Sequence, residues 1–331
     1  MSFSTSIKNL DFDTVLELNL LEHHDDEEDL FYKSRLAAVA NGDITPEQAA
    51  TDIDVYMTLE AERLPKEIRA KLPLPEGGDE TDVGIHCPNP GGHIEMLIHW
   101  VFKLCSAFPP GHIGQERIIG FLEALRALPK HRFITLSSSR DDDEEENMYT
   151  TLEVWPMGGN WLSLEMAARF EGDAERLRLP PTETDLRLRN FQSAIARITA
   201  LDLIDSGWIS SLETILPTHS WYPKGLNDDD SEDQQGLNNK DQGFRWLAGW
   251  VIASVQWLLR PEVGRYVYRQ CTKRERITKR SDMWSAQRWQ QWKEQFAYVA
   301  KEERVGIHAQ ELAGLALETM IRYEAGDACD L

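Results

Sequence analysis

Apolar side chains recur every three or four residues along most of the chain, which is the spacing of a helix that buries one face. Between Ile113 and Leu128, for example, Ile118, Phe121, Leu122 and Leu125 fall on one side of such a helix. The same period returns through the C-terminal third of the chain. The pattern therefore predicts a protein built mainly from helices.

Turn and capping residues mark where these helices begin and end. Asn41-Gly42 ends one helix. Thr45 then suits the N-cap of the next helix, with Pro46 in its first turn and Gln48 completing a capping box. Pro109-Pro110-Gly111 ends a later helix. Periodicity and stop signals together predict helices at about 30–40, 46–63, 93–107, 113–128, 161–178, 184–206, 243–260, 282–304 and 307–324.

Extended structure is expected only at residues 133–136 and 149–154, so we predict an all-α fold. Roughly ten helices would pack into a single domain that spans residues 1–331. Residues 73–92 hold proline, glycine and acid, and residues 137–148 contain a run of six acids, so both are predicted loops. Residues 225–242 are nearly free of apolar side chains. They are a predicted disordered insertion, because burial cannot offset the entropy lost on ordering them.

The 331 residues carry a formal net charge of −21, which repels nucleic-acid phosphates and anionic membrane surfaces. We therefore expect neither a nucleic acid nor a membrane as a partner. The longest apolar run, from Trp246 to Leu259, is too short to span a bilayer. The first residues lack the apolar core of a signal peptide. The four cysteines are widely scattered, which is typical of reduced thiols, so we expect a cytoplasmic protein.

Tryptophan is concentrated in one part of the chain: six of the eleven fall between Trp246 and Trp292. Trp246, Trp250 and Trp257 are spaced so that they form one stripe of a helix. The simplest interpretation of this stripe is helix packing in the core. The alternative is the wall of a pocket for a flat, apolar ligand. On that alternative, the candidate substrate-binding residues are Trp100, Trp161, Trp246, Trp250 and Trp257.

Three polar residues near these tryptophans in the sequence are candidate catalytic groups. Arg245 adjoins the stripe and either supplies a fixed cation or forms a surface salt bridge. Glu165 follows Trp161 by one turn and is either half of a surface ion pair or a carboxylate in a cavity. His99 lies six residues after His93, so the two imidazoles point from different helix faces. That spacing excludes a zinc helix of the i,i+4 type.

The chain lacks the phosphate loop, the dinucleotide-binding glycines and the nucleophile elbow, so we expect no cofactor and no metal. Residues 25–29 match the DDxxD pattern that holds Mg²⁺ in terpene cyclases. Asn227, Ser231 and Gln235 resemble the second metal motif of that class, and Arg322-Tyr323 resembles its diphosphate sensor. However, the first motif precedes most of the helices and the second lies in the predicted insertion. A magnesium-dependent terpene cyclase is therefore the less favoured alternative.

The C-terminal half resembles a known group of proteins. Residues 244–257, the segment Trp284 to Trp292 (WSAQRWQQW) and a helix ending Glu318-Thr319-Met320 are similar to a fungal all-helical family of unknown function. The similarity spans about residues 155–323. It implies an all-helical fold and a place in secondary metabolism. It also implies kinship with the cofactor-free hetero-Diels–Alderases of tropolonic sesquiterpenoid biosynthesis.

The sequence thus favours a cofactor-free small-molecule cyclase, a pericyclase, that acts on an apolar terpenoid or polyketide intermediate. Pericyclic chemistry needs no nucleophile or metal, only reactants held face to face and a donor that polarises a carbonyl. Arg245 or His99 would be that donor, in an aromatic pocket between Trp161 and the face of Trp246 and Trp250. The alternative is a non-catalytic helical interaction protein, in which the tryptophans simply fill the core.

Overall fold

The fold is known from a computed structural model. The structure describes residues 11–18, 20, 21, 25, 27–70, 90–129, 132–136, 149–153, 183–203, 207–220, 222, 223, 234–273 and 283–326.

Ten α-helices occur in this described part of the chain. They are α1 Glu27–Asn41, α2 Pro46–Ala70, α3 Pro90–Ala107, α4 Ile113–Ala127, α5 Glu183–Ala200, α6 Ser211–Thr214, α7 Gln234–Ser254, α8 Pro261–Thr272, α9 Ala286–Val299 and α10 Ile307–Ala325. Short 3₁₀-helices occur at Gly207–Ile209, Val255–Trp257 and Glu303–Val305. The prediction of an all-α fold is confirmed.

Two strands, β1 Arg132–Leu136 and β2 Tyr149–Glu153, form an antiparallel hairpin. In its register Arg132 pairs with Glu153 and Leu136 pairs with Tyr149. These are the two segments that the sequence singled out as extended.

Capping explains several of the helix ends. The Thr45 hydroxyl accepts from the Gln48 backbone N–H at 3.1 Å, which confirms the predicted N-cap of α2. The capping box stays half-formed, because the Gln48 amide donates to Asp52 at 2.6 Å instead. Ser285 caps α9 by accepting from the Arg288 backbone N–H at 3.1 Å. Gly326 ends α10 at a φ of 80°, a left-handed conformation that glycine adopts without strain.

Several helices differ from the prediction; α2, for example, ends at Ala70 rather than near residue 63. Helix α7 begins at Gln234, so residues 234–242 of the predicted insertion are helical. Helix α3 begins at Pro90, inside the predicted loop 73–92. Helix α8 was not predicted, because a proline such as Pro261 commonly ends a helix. Here Pro261 lies in the first turn of α8, where a backbone N–H would have no partner within the helix, so its absence is not destabilising.

The chain divides into two compact units. The large unit comprises Met1–Glu17, Cys105–Gln115 and Ala167–Leu331, and the small unit comprises Leu18–Leu104 and Glu116–Met166. In the small unit α1 packs on α2, and the rings of Phe31 and Tyr56 stack with centroids 4.2 Å apart. The single domain expected from the sequence stays a prediction.

Helices α5, α7, α8, α9 and α10 pack around the core of the large unit. Its largest fully buried side chains include Trp250, Trp257, Trp292, Phe244 and Phe296. None of the described helices combines the length and the apolar character that crossing a membrane requires.

Candidate functional site

A seam of polar side chains, half-buried apart from the fully buried Trp292, lies between α9 and the segment 211–220, which contains α6. Its centre is an ion pair: the Glu213 carboxylate Oε2 accepts from Arg288 Nη2 at 3.0 Å. The two side chains remain 21% and 32% exposed. Local sequence sets both positions, because Ser210 caps α6 and Ser285 caps α9. We call the side chains of Glu213, His219, Arg288 and Trp292 the polar seam.

Burial dominates the electrostatics of Glu213. It raises the pKa of the carboxyl above its usual value, and the charge of Arg288 and the nearby N–H of Trp292 lower it only in part. Despite that proximity, neither Glu213 Oε1 nor Trp292 Nε1 has a well-formed hydrogen bond to any described residue, and both atoms are buried. The carboxylate therefore has Oε2 paired with Arg288, while its buried Oε1 lacks a well-formed hydrogen bond.

His219 completes the polar side of the seam. Its side chain is half-buried. Burial lowers the pKa of the imidazole, and the charge of Arg288 lowers it further. Glu213 and His219 are thus both shifted toward their neutral forms. Titratable groups perturbed in this way by burial and a specific charged neighbour are typical of functional sites.

Aromatic rings form the apolar side. The ring of Trp284 lies 6.1 Å from Trp257 and 6.0 Å from Trp292, the latter edge to face. Gly207 permits this arrangement, since a Cβ there would lie 2.5 Å from the Trp284 ring. Trp284 itself is only partly buried, whereas Trp257 and Trp292 are fully buried. The accessible aromatic surface at the seam is therefore that of Trp284.

Gln192 of α5 fixes the segment that carries Glu213. Its Oε1 accepts from the backbone N–H and the hydroxyl of Ser211, both at 3.1 Å, and from Trp257 Nε1 at 2.6 Å. Its Nε2 donates to the Ile209 carbonyl at 3.1 Å. One buried amide thus links α5, the start of α6 and the tryptophan cluster. Because it holds Ser211, it also fixes the position of Glu213, which lies two residues after Ser211.

The seam continues toward the C-terminus of α9. Gln295 donates to the Tyr222 hydroxyl at 3.5 Å, and the Tyr298 hydroxyl donates to Glu302 at 3.2 Å. Burial, with the charge of Glu302, raises the pKa of Tyr298 to about 12. Hydrogen bonds from Arg304 hold the pKa of Glu302 at about 2. The polar side chains at this end of the seam are hydrogen-bonded to one another, and they stabilise the turn after α9.

The structure disperses the residues that the sequence proposed for the site. Arg245 is exposed on α7. Trp246 is half-buried with its ring 5.7 Å from that of Trp250, which is 1% exposed. Trp257 is fully buried and contributes to the site through Gln192.

The other candidates lie elsewhere. His99 and Trp100 belong to the small unit, where Trp100 is 4% exposed and Lys33 lies 5.2 Å from its ring. Trp161 and Glu165 lie outside the described residues. The catalytic and substrate-binding roles assigned from the sequence therefore stay predictions.

The sequence pattern alone did not single out Glu213, His219 and Arg288. A signal was present: residues 211–223 (SLETILPTHSWYP) concentrate an acid, a histidine, two aromatic residues and two prolines. Arg288 also lies midway between Trp284 and Trp292, one turn from each. What the sequence could not give is the pairing of these segments, since they are about 75 residues apart and hydrophobic periodicity carries no information about partners.

In the described part of the chain, no three His, Cys, Asp or Glu side chains are grouped so that they could hold a metal ion. Asp25, the first acid of the DDxxD match, forms a buried ion pair with Lys33 in the small unit. That carboxylate therefore already has a cationic partner.

Comparison with curated proteins and with solved structures finds no match. One family model does match, over residues 99–296, which is more than half of the chain and includes the whole polar seam. The chain belongs to this family, whose description is "Protein of unknown function (DUF3632)".

Proposed function

We propose that the protein is a cofactor-free small-molecule cyclase whose reaction centre is the polar seam. The observation that carries the proposal is the Glu213–Arg288 pair, a partly buried carboxyl of raised pKa next to a cation and an aromatic cluster. Fixed donors beside an apolar surface are what a pericyclic reaction of a carbonyl compound requires. The substrate would be an apolar terpenoid or polyketide intermediate bearing a conjugated carbonyl.

The reaction class is a hetero-Diels–Alder addition. A conjugated C=C–C=O unit and an alkene combine so that one C–C and one C–O bond form, while the remaining double bond shifts to the middle of the former diene. All atoms and electrons of the reactants are retained, so no oxidant, reductant or cofactor is consumed. Holding the two reactants together can lower the activation free energy by roughly 7–11 kcal/mol.

Arg288 is the proposed electrophilic group. Its guanidinium would donate to the carbonyl oxygen of the diene, where negative charge develops in the transition state. Glu213 orients Arg288 through their 3.0 Å contact. Trp284 offers the accessible aromatic face for the reactants.

The same proposal includes a fungal source, a role in secondary metabolism and a cytoplasmic location. The similarity of residues 244–257 and 284–292 to a fungal family supports secondary metabolism and kinship with hetero-Diels–Alderases. The free, buried thiols of Cys105 and Cys271 support a reducing, cytoplasmic setting. The charge of −21 supports a small molecule rather than a nucleic acid or membrane as the partner.

The test is a turnover assay with a terpenoid quinone methide, generated in situ, and an apolar alkene, followed by chiral chromatography and mass spectrometry. The wild-type protein is expected to accelerate the addition and to give one stereoisomer in excess. Arg288→Leu is expected to lower kcat/KM about 100-fold, the loss typical of one oxyanion donor. Arg269→Leu is the matched control, because Arg269 is exposed on α8, and it is expected to match the wild type. A racemic product formed at the uncatalysed rate across a panel of such substrates would refute the cyclase.

A non-catalytic interaction protein remains the second candidate, and one observation favours it. Ile307, Leu315 and Ile321 of α10 are 70%, 44% and 50% exposed and fall on one side of that helix. Retained binding to a partner protein by Arg288→Leu, with loss on Leu315→Glu, would support this alternative over the cyclase.

A further inference from the structure

The Arg288 side chain is held at both terminal nitrogens of its guanidinium. Nη2 pairs with Glu213 Oε2 at 3.0 Å, and Nη1 donates to Gln291 Oε1 at 3.1 Å. The backbone N–H of Arg288 donates to the Ser285 hydroxyl at 3.1 Å, which fixes the point from which the side chain starts. The two partners of the guanidinium thus come from different elements, Glu213 from α6 and Gln291 from α9.

Helix geometry brings Gln291 to Arg288. The two residues lie three positions apart on α9, a spacing at which side chains are neighbours on the helix surface. Both side chains are half-buried, so water competes for their hydrogen bond less than it would at an exposed position. Gln290, the adjacent residue, is exposed, and its amide donates to Glu294 at 3.1 Å instead. Of these two neighbouring glutamines, only Gln291 contacts Arg288.

Two contacts fix a guanidinium in a way that one contact does not. A single ion pair at Nη2 leaves the group able to turn about its Nε–Cζ bond, whereas a second partner at Nη1 holds its plane. The charge of Arg288 lowers the pKa of both Glu213 and His219, so a guanidinium that moves alters both neighbours. A donor that stabilises charge developing in a transition state is effective when it is in place before the reaction begins.

We infer that Gln291 is a positioning residue for Arg288: its amide oxygen holds Nη1 while Glu213 holds Nη2, so the plane of the guanidinium is fixed before a substrate carbonyl arrives. The inference rests on the proposed function, in which Arg288 donates to that carbonyl. Gln291 acts through Arg288 and needs no contact with the substrate. The role requires an acceptor at position 291, so glutamate should replace glutamine whereas leucine should not.

NMR of the Arg288 side chain tests the contact without turnover. In protein labelled with ¹⁵N-arginine, the Arg288 signals are assigned by their absence from Arg288→Leu. The wild type is expected to show separate Nη1 and Nη2 signals, because rotation about the Nε–Cζ bond is slow. Gln291→Leu is expected to rotate about fivefold faster, which corresponds to the loss of one hydrogen bond. Gln291→Glu keeps an acceptor and is expected to rotate no faster than the wild type.

Turnover in the quinone methide assay supplies the second measurement. Gln291→Leu is expected to lower kcat about tenfold and to leave KM within about twofold, because charge develops on the carbonyl oxygen only in the transition state. Gln291→Glu is expected to restore kcat to within about threefold of the wild type. A residue that only stabilised α9 would not separate kcat from KM or be rescued by an acceptor.

Gln290→Leu is the matched control, since it makes the same substitution one residue away on the exposed side of α9. It is expected to leave the rotation of Arg288, kcat and KM unchanged. Thermal melts of all variants establish that each is folded before the measurements.

An Arg288 rotation rate in Gln291→Leu equal to that of the wild type would overturn the inference. So would a loss of kcat that Gln291→Glu fails to restore or that Gln290→Leu reproduces. If the rotation rates change as expected but the wild type has no cyclase activity, the proposed function fails while Gln291 still orients Arg288. If the wild type is an active cyclase and the rotation rates do not change, only the positioning role fails.

Discussion

The large unit holds two buried polar clusters that differ in how completely their atoms are satisfied. In the first, Gln115 Nε2 donates to the carbonyl oxygens of Phe108 and Asn190 at 3.2 and 3.1 Å, and its Oε1 accepts from Ser193 at 3.3 Å. The Asn190 amide donates in turn to the Ser106 carbonyl at 3.0 Å. We call this the Gln115 cluster. Its side-chain amides are hydrogen-bonded on both the donor and the acceptor side.

The polar seam is built differently. Glu213 and Trp292 each leave one buried polar atom without a well-formed hydrogen bond in the described part of the structure, and burial opposes the charge of Glu213. Satisfied networks rigidify a fold, whereas incompletely satisfied groups lower stability and persist where function requires them. We therefore predict that the Gln115 cluster mainly stabilises the fold, and that the polar seam is where the proposed function would reside.

Breaking the Gln115 cluster should cause the largest loss of stability among these predictions. Gln115→Leu removes the two N–H donors and the acceptor of a fully buried amide and leaves several partners unsatisfied. We expect a loss of about 3 kcal/mol in the free energy of unfolding, measured by urea denaturation. Gln290→Leu, on the exposed side of α9, is the control and should change stability by less than about 0.5 kcal/mol. An unchanged urea midpoint for Gln115→Leu would show that the Gln115 cluster does not stabilise the fold more than the polar seam does.

Neutralising Glu213 should lower activity while leaving stability nearly unchanged, the opposite of what we expect for Gln115→Leu. Glu213→Gln removes a charge that burial disfavours but also breaks its pair with Arg288. Because solvent screens this partly exposed pair, we expect the free energy of unfolding to change by less than about 1 kcal/mol. The expected loss of kcat/KM is about tenfold, because Arg288 is no longer oriented by a charge. Glu294→Gln, an exposed acid of the same helix, should alter neither quantity. A destabilisation as large as that of Gln115→Leu would make Glu213 a structural residue.

The pH dependence of stability sharpens the contrast further. The pKa of Glu213 is raised from 4.5 in the folded state, so its contribution to stability is fully present below that value and is lost as pH rises through the folded pKa. The pKa of His219 is lowered from 6.5, so its contribution is present above 6.5 and is lost as pH falls through the folded pKa.

Denaturation between about pH 8 and pH 4.5 should therefore show opposite trends. As pH falls, the wild type should gain stability relative to Glu213→Gln and lose stability relative to His219→Gln. Parallel curves for all three proteins would mean that neither group is perturbed.

The smallest effects are expected from the residues that the sequence proposed. Arg245 is exposed on α7, so Arg245→Leu should change kcat/KM by less than about threefold, as is usual for surface substitutions. His99→Phe should be similarly mild, since the seam contains neither residue. A loss of activity in Arg245→Leu as large as in Arg288→Leu would move the reaction centre to the pocket predicted from sequence.

Elements with strong local signals were predictable. Thr45 and Pro46 predicted the start of α2, and residues 133–136, expected to be extended, form β1. Helix α8 was missed because Pro261 is compatible with both a stop and a first turn, and only the following packing decides between them. The start of α7 at Gln234 was missed for the converse reason, since a polar segment carries no periodicity to reveal a helix.

The sequence by itself determined that this chain is helical, because the period of its apolar residues is a local property that each segment carries alone. It also placed Trp246 and Trp250 on one helix, whereas Trp257, predicted on the same stripe, lies in the 3₁₀-helix after α7. Only the tertiary structure decided that Trp250 and Trp257 are core, and that Arg288 meets Glu213 rather than solvent. Burial, desolvation and the satisfaction of a buried atom depend on segments far apart in the chain. The seam therefore exists only once those segments have packed.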